Sequence, residues 1–163
     1  IGMTFLDQRR LGVKKETMRF SPLSPVLLPS MQITAKTPFG NLGLPMSLVS
    51  RMSKLTNDPT AMKIMLKDGT SAGNFMSVKF LDSYMNYKPK YDLSSFSQCP
   101  VLLTQPAEDR WTPIELSQPV LDRLNVPHQV VMLPHGGHYP VEAEALEQLK
   151  QSSIAFIEQY TAQ

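Results

Sequence analysis

Cysteine, concentrated charge and long apolar runs are all scarce in this sequence, and each scarcity excludes a class of protein. The single cysteine, Cys99, has no partner for a disulfide within the chain, and its place before Pro100 and an apolar run predicts a buried, inert thiol. No apolar run approaches the roughly 18–20 residues of a membrane span. The net charge is +2, and the basic residues are scattered apart from pairs at 9–10 and 14–15. This argues against the concentrated basic face of a nucleic-acid-binding protein. The cysteine usage favours a reducing, cytoplasmic compartment.

The apolar content indicates one folded domain. Hydrophobic residues make up 42% of the 163 residues and charged residues 18%, a balance typical of globular chains rather than disordered ones. A chain of this length suits a single domain with its own core. It begins with Ile1 inside an apolar run, so we expect a buried strand over residues 1–7 and a fragment or processed product of a longer protein. On that expectation, the absence of a signal peptide says nothing about targeting.

The next part of the chain divides into a loop and a group of helices. Residues 20–45 hold five prolines, and since proline fixes φ and removes a backbone donor, we expect a long surface loop there rather than a helix or a central strand. Residues 45–55 approximate a one-sided helix. Asp58 and Pro59 predict the start of another helix, Gly69 its end, and Ser71 or Asn74 the cap of a third. That third helix would carry one stripe of side chains at positions 76, 80, 84 and 87.

Six of the ten methionines lie between residues 45 and 88. Flexible thioethers suit a surface that adapts to varied apolar ligands, and they also suit a loosely specified core. Both interpretations stay open at the level of sequence.

The last third of the chain alternates strands with helices. Short apolar strands are predicted over residues 100–104 and 128–133, with helices over 113–124, starting near Ser117, and over 141–160. This alternation implies parallel pairing with right-handed crossovers, and the apolar runs imply strands covered on both faces. With the strand expected at 1–7, the pattern predicts an α/β fold whose small parallel sheet has open edges and is incomplete.

The turns after the two strands carry a carboxylate and an imidazole. Asp109 follows the first strand, and His138 follows the second after two glycines, so both lie at the same rim of the predicted sheet, where neighbouring strands are about 4.8 Å apart. A carboxylate bonded to one imidazole nitrogen fixes the ring's tautomer and leaves the other nitrogen to act as a base toward a nucleophile. The spacing therefore predicts a catalytic acid–histidine pair.

The residues around this pair resemble the C-terminal signature of the α/β-hydrolases: the apolar run at 100–103, Asp109, Thr112 before Pro113, and the run from Gly137 to Glu142. The resemblance implies a core strand and its exit at 1–15, a loop and helical cap at 16–91, and the C-terminal half of the hydrolase core at 92–163. It implies that Asp109 is the triad acid and His138 the triad base. It also implies an ester or related acyl substrate of apolar character, with no cofactor and no metal.

The same resemblance bears on the nucleophile, which in this family stands on an elbow upstream of the cap. That region would lie before residue 1, so the chain alone is expected to be inactive. The nucleophile could be a serine, or an aspartate as in the dehalogenase and epoxide-hydrolase branches. Residues 69–73 also read G-x-S-x-G, with Ser71 in the family order, but Lys67 and Asp68 precede the motif, and a buried central strand should not carry them.

A metal site and a non-catalytic module are the two alternatives to a hydrolase. His135 and His138 form a poor metal pair because no third ligand lies nearby in sequence. A non-catalytic binding or assembly module is the main alternative, in which an open sheet edge pairs with another copy, with a partner or with a missing N-terminal half. An in-frame G-x-S-x-G after an apolar strand upstream of Ile1 would favour the enzyme over the module.

A fluorophosphonate probe, which reacts with activated serine nucleophiles, is expected to leave the 163-residue chain unlabelled, because Ser71 lacks the strand–turn–helix setting of a nucleophile elbow. Mass spectrometry of the treated chain checks this result. Labelling at Ser71 would place the nucleophile inside the chain.

Overall fold

The computed structural model describes residues 1–161 and shows a mixed α/β chain. Besides four short 3₁₀ turns, at Ser21–Leu23, Pro38–Asn41, Met52–Lys54 and Leu93–Ser95, the elements are, in order, α1 (Leu11–Thr17), α2 (Ser24–Ala35), β1 (Gly43–Pro45), α3 (Met46–Val49), α4 (Pro59–Lys67), β2 (Phe75–Ser77), α5 (Val78–Asn86), β3 (Val101–Pro106), α6 (Ile114–Leu121), β4 (His128–Leu133) and α7 (Ala143–Thr161). Within these residues, no helix combines the length and apolar character needed to cross a membrane.

The chain forms two compact units. One, called the sheet unit here, comprises Ile1–Leu6, Thr56–Asp58 and the chain from Pro89 onward. The other, called the helical unit, comprises Asp7–Leu55 and Pro59–Lys88.

The sheet unit is built on two parallel strands. β3 and β4 pair from Val101 opposite His128 to Pro106 opposite Leu133, so the strand predicted over 128–133 and the parallel pairing are confirmed. The strand expected over residues 1–7 is wrong. Of residues 1–7, only Gly2 pairs with β3. Its N–H donates to the Leu102 carbonyl at 2.9 Å, and its carbonyl accepts from the Thr104 N–H at 2.8 Å.

After Gly2 the backbone no longer pairs with β3, and a later N–H of this segment bonds to α6 instead. The Phe5 N–H donates to the Ser117 hydroxyl at 3.0 Å, which ties the N-terminal segment to α6. That helix begins at Ile114, earlier than the expected start near Ser117, and Pro119 lies inside it.

Burial differs sharply between the two strands. Leu102 and Leu103 of β3 are fully buried, whereas Val130 and Met132 of β4 are 42% and 44% exposed. The expectation that both strands are covered on both faces is therefore wrong for β4. A small, open sheet of this kind is a partial α/β fold.

Helix α7 packs on both strands, and the long C-terminal helix predicted from the sequence is confirmed. It buries Ala145 and Phe156, while Leu146 and Ile157 are about half exposed. Cys99 is exposed rather than buried, because the turn before β3 lies at the surface.

Helix α2 contradicts the expectation that residues 20–45 form an irregular loop. Pro25 lies in the first turn of the helix. A backbone N–H at that position would have no intrahelical partner, so the donor that proline lacks is not missed. Pro29 lies inside the helix and removes one N–H bond. The helix nevertheless continues to Ala35, which is buried, and packs against α5. Tertiary packing thus outweighs one lost hydrogen bond.

The helix expected over 45–55 is broken at Ser50. Its hydroxyl donates to the Thr17 carbonyl at 2.7 Å, and the next N–H, of Arg51, donates to the same carbonyl at 3.0 Å. Ser50 also forms an antiparallel bridge with Met18. These long-range bonds replace those that would continue the helix beyond α3.

Helix α4 starts at Pro59 and ends before Gly69, as predicted. The cap of α5 is Ser77, whose hydroxyl accepts from the Phe80 N–H at 3.2 Å, and not Ser71 or Asn74. Before it, β2 pairs antiparallel with β1.

The stripe expected on α5 faces solvent, because Phe80, Tyr84 and Tyr87 are exposed. The buried side chains of α5 are instead Val78, Leu81 and Met85. Met52 and Met62 are also buried. Much of the methionine cluster therefore fills the core of the helical unit.

Replacement of Leu103 by alanine should lower the free energy of unfolding by about 2–5 kcal/mol, because it removes a fully buried side chain from β3. Met132→Ala on β4 is the matched control and should change it by only about 0.5 kcal/mol. Urea unfolding monitored by circular dichroism measures both. Equal losses would mean that β4 is buried as deeply as β3.

Candidate active site

The carboxylate of Asp109 is buried in the turn after β3, called the acid turn here (residues 107–112). Its side chain has no exposed surface. Oδ1 accepts from the backbone N–H of Trp111 at 2.9 Å and of Thr112 at 2.8 Å, and Oδ2 accepts from the Thr112 hydroxyl at 2.8 Å. The turn therefore wraps its own backbone around the carboxylate, which is how a short loop can hold a buried negative charge.

Burial raises the pKa of Asp109, but hydrogen bonds from His138 and from the Thr112 backbone and hydroxyl, with the charge of His138, outweigh it. The pKa of the carboxyl therefore lies below its usual value. Asp109 is accordingly an anion at neutral pH.

His138 follows the turn after β4, called the His turn here (residues 134–142). The chain reverses at His135, which has a positive φ of 56°, and passes through the buried residues Gly136 and Gly137. Glu142 closes the turn, because its Oε2 accepts from the backbone N–H of Val141 at 2.9 Å and of Gly137 at 3.4 Å. The carboxylate of Glu142 is thus bonded to the backbone of the turn that it closes.

The acid and His turns are joined to each other. The Ala107 N–H donates to the Leu133 carbonyl at 2.9 Å, and the Glu108 N–H donates to the Gly136 carbonyl at 3.0 Å. At the surface, Glu108 Oε1 lies 3.1 Å from His135 Nδ1, and this hydrogen bond raises the pKa of His135. The two turns thus form one continuous rim beyond the carboxyl ends of β3 and β4.

The structure brings the two predicted site residues together on this rim. His138 Nδ1 lies 2.9 Å from Asp109 Oδ2 and 2.9 Å from the Thr112 hydroxyl. If Nδ1 were unprotonated, a lone pair would face the carboxylate oxygen at hydrogen-bond distance, which is repulsive. The consistent arrangement has the Nδ1–H donating to Asp109 while the Thr112 hydroxyl donates to the same oxygen.

This tautomer leaves Nε2 as the basic nitrogen of the ring. Among residues 1–161, no donor is found within hydrogen-bond distance of Nε2. The His138 side chain is 13% exposed, and its ring lies edge-on to Trp111, at 4.7 Å between ring centroids, and to Tyr139, at 5.2 Å. An oriented imidazole between two aromatic rings, with one nitrogen held by a buried carboxylate, can accept and return a proton at Nε2.

The other candidates do not share this arrangement. Ser71 lies in the helical unit, in a turn that follows helix α4 rather than a strand and precedes the short strand β2. No group of three potential metal ligands is found within residues 1–161, so His135 and His138 gain no metal partner there.

Thr112 also belongs to the site, because its backbone N–H and its hydroxyl both bond Asp109. In the sequence, only its position three residues after the acid indicates this role, since short polar side chains commonly bond within such turns. Asn57, which bonds the Glu108 carbonyl, carries no comparable signal in the sequence.

Comparison with known proteins supports the fold. A scan against protein-family models finds no match, and a search of curated proteins also finds none. Among solved structures, the chain resembles a monoacylglycerol lipase from Paleococcus ferrophilus with a TM-score of 0.58 and 20% sequence identity. The match covers 80% of this chain and 51% of that protein, so the chain spans about half of its neighbour's length. The fold is therefore α/β-hydrolase-like.

Stability should depend on the Asp109 charge. Because its pKa is lower in the folded state than the usual value of about 3.9, the ionised group stabilises the fold above that pH, and this contribution is lost as the pH falls through the folded-state pKa. Asp109→Asn is expected to lower the free energy of unfolding by about 1–3 kcal/mol at pH 7. The deficit should shrink below about pH 4.

Denaturant titrations at pH 7 and in acid measure this difference. Asp122→Asn is the control, because this exposed carboxylate accepts from the exposed Gln118 side chain, and its replacement should cost at most about 0.5 kcal/mol. A deficit of Asp109→Asn that is the same at both pH values would contradict the assignment of a stabilising charge.

Proposed function

We propose that this chain is the C-terminal part of an α/β-hydrolase that cleaves ester or related acyl bonds, with Asp109 as the triad acid and His138 as the base. The observation that carries the proposal is the 2.9 Å contact between His138 Nδ1 and the buried Asp109 carboxylate. The α/β-hydrolase-like fold supports it, because both residues follow neighbouring strands of a parallel sheet.

In the proposed reaction, His138 Nε2 removes the proton from the nucleophile's hydroxyl as the oxygen attacks the acyl carbon. The resulting imidazolium is stabilised by Asp109, and its proton then passes to the departing alkoxide, which leaves as an alcohol. Water, deprotonated by the same Nε2, hydrolyses the acyl-enzyme, and the returned proton restores the nucleophile.

We place the nucleophile outside these 163 residues. Ser71 follows a helix, whereas an elbow serine follows a strand, and the chain spans about half of the lipase it resembles. A serine fits an esterase or lipase. An aspartate nucleophile would form an ester with the substrate, and His138 would then activate only the water of the second step.

The proposal extends to the domains of the enzyme and to its substrate. Residues 16–91 would form the loop and helical cap, with residues 1–15 and 92–163 belonging to the hydrolase core. Trp111 and Tyr139 beside His138 supply apolar walls, which suits a small apolar acyl substrate, and the neighbour is a monoacylglycerol lipase. No cofactor is required by this chemistry. The cytoplasmic location stays a prediction.

A second candidate function is an assembly module that pairs through β4. Among the described residues β4 pairs only with β3, and strands with an open edge commonly recruit another chain. The exposed side chains of Val130 and Met132 also leave one face of β4 uncovered. Sedimentation tests the module, which predicts self-association through β4 that Val130→Lys abolishes, and a chain that stays monomeric would contradict it.

In the intact protein, including the chain upstream of Ile1, His138→Ala should reduce kcat/KM for a short-chain ester at least about 10³-fold, because both proton transfers of the proposed reaction pass through His138 Nε2. His128→Ala is the control, since His128 is exposed at the opposite end of β4 and its Nδ1 bonds the nearby Val126 carbonyl, and it should retain full activity. Hydrolysis of p-nitrophenyl esters measures both. Activity that survives loss of His138 would exclude the proposed base.

A further inference from the structure

Residues Thr56–Asp58, called the strap here, lie in sequence between two parts of the helical unit but pack with the sheet unit. Thr56 is 1% exposed, and its carbonyl accepts from the guanidinium of Arg110 in the acid turn at 3.3 Å. Its hydroxyl also accepts from the Asp58 N–H at 3.3 Å. The strap is thus held to the acid turn through Thr56, and the bond between Thr56 and Asp58 closes it around Asn57.

Asn57 contacts the acid turn directly. Its Nδ2 donates to the backbone carbonyl of Glu108 at 3.1 Å. Glu108 immediately precedes Asp109, so this carbonyl belongs to the peptide unit that leads into the carboxylate-bearing residue. The hydrogen bond therefore restrains the backbone just before Asp109.

Asn57 also packs on the His turn. A Cβ placed on Gly137 would lie 2.9 Å from the Asn57 backbone nitrogen and 3.2 Å from its Cγ, so only a glycine allows this approach. Gly137 immediately precedes His138. One side chain and its backbone therefore touch the residues before both members of the pair.

The amide of Asn57 carries an unsatisfied atom. Its Oδ1 is buried and has no hydrogen-bond partner among the described residues. The amide cannot rotate to relieve this, because Oδ1 would then face the Glu108 carbonyl. A buried acceptor without a partner destabilises a fold, so this atom offsets part of the stabilisation that the bond to Glu108 provides.

We propose that Asn57 is a positioning residue that holds the backbones before Asp109 and His138 at a fixed separation and so aligns the imidazole with the carboxylate. Its role in catalysis rests on the proposed function, whereas its effect on the alignment does not. Asn57 acts through Asp109 and His138 and need not contact a substrate.

The test is solvent exchange of the His138 Nδ1 proton, followed by NMR in the 163-residue chain and in Asn57→Ala. Alanine removes the bond to Glu108 and also the unpaired Oδ1, so the melting temperature should stay within about 2 °C of the wild type or rise. The Nδ1 proton should nevertheless exchange about tenfold faster, because the pair opens more often. A purely structural role would change the melting temperature without changing the exchange.

The matched control is Asn125→Ala, which removes a side-chain amide bond to the Ser94 carbonyl in the same unit but away from the pair, and it should leave the Nδ1 exchange unchanged. Gly137→Ala, which displaces the strap from the other side, should speed exchange as Asn57→Ala does. Unchanged exchange in Asn57→Ala, or an equal increase in Asn125→Ala, would overturn the proposal.

The proposed function is tested separately by ester hydrolysis in the intact protein. Faster Nδ1 exchange in Asn57→Ala supports the positioning role whether or not hydrolysis is found. If Nδ1 exchange is faster in Asn57→Ala but the intact protein hydrolyses no ester, the proposed function is overturned and the positioning role of Asn57 stands.

Discussion

A buried carboxylate beside an imidazole is the interaction on which the sheet unit's rim depends. An isolated anion in the protein interior is strongly unfavourable, and Asp109 is tolerated because four donors converge on its two oxygens. Three of them come from the two residues Trp111 and Thr112, within one turn. The fourth, His138, comes from another strand end, so the charge can be satisfied only when β3 and β4 are correctly paired.

This dependence explains the local backbone around the pair. Pro106 and Leu133 lie opposite each other at the ends of β3 and β4, and the bonds between the turns continue the pairing beyond the strands. The chain must then turn sharply to bring His138 back over Asp109. Gly136 is closely packed in this turn, because a Cβ there would lie 3.2 Å from the Ala145 Cβ and 3.3 Å from the Pro106 Cβ.

Local signals in the sequence were enough for the elements that carry the pair. β4, α7 and the parallel pairing follow from apolar runs separated by helical periodicity, and Asp109 and His138 stand out because each follows a strand. Long-range contacts determine the N-terminal segment, helix α2 and the place of Asn57. Nothing local shows that Gly2 alone would pair with β3, or that packing against α5 would retain α2 despite Pro29. Asn57 contacts a residue 51 positions away, and no periodicity marks such a contact.

The central claim is that Asp109 holds the proton of His138 on Nδ1 and leaves Nε2 as the base. The most direct measurement is two-bond ¹H–¹⁵N correlation NMR of the His138 ring at a pH where the ring is neutral. The account predicts a protonated Nδ1 and an unprotonated Nε2, with the pattern lost in Asp109→Asn. A ring protonated at Nε2 in the wild-type chain would contradict it, because Nδ1 would then accept from Thr112 and the carboxylate would not orient the base.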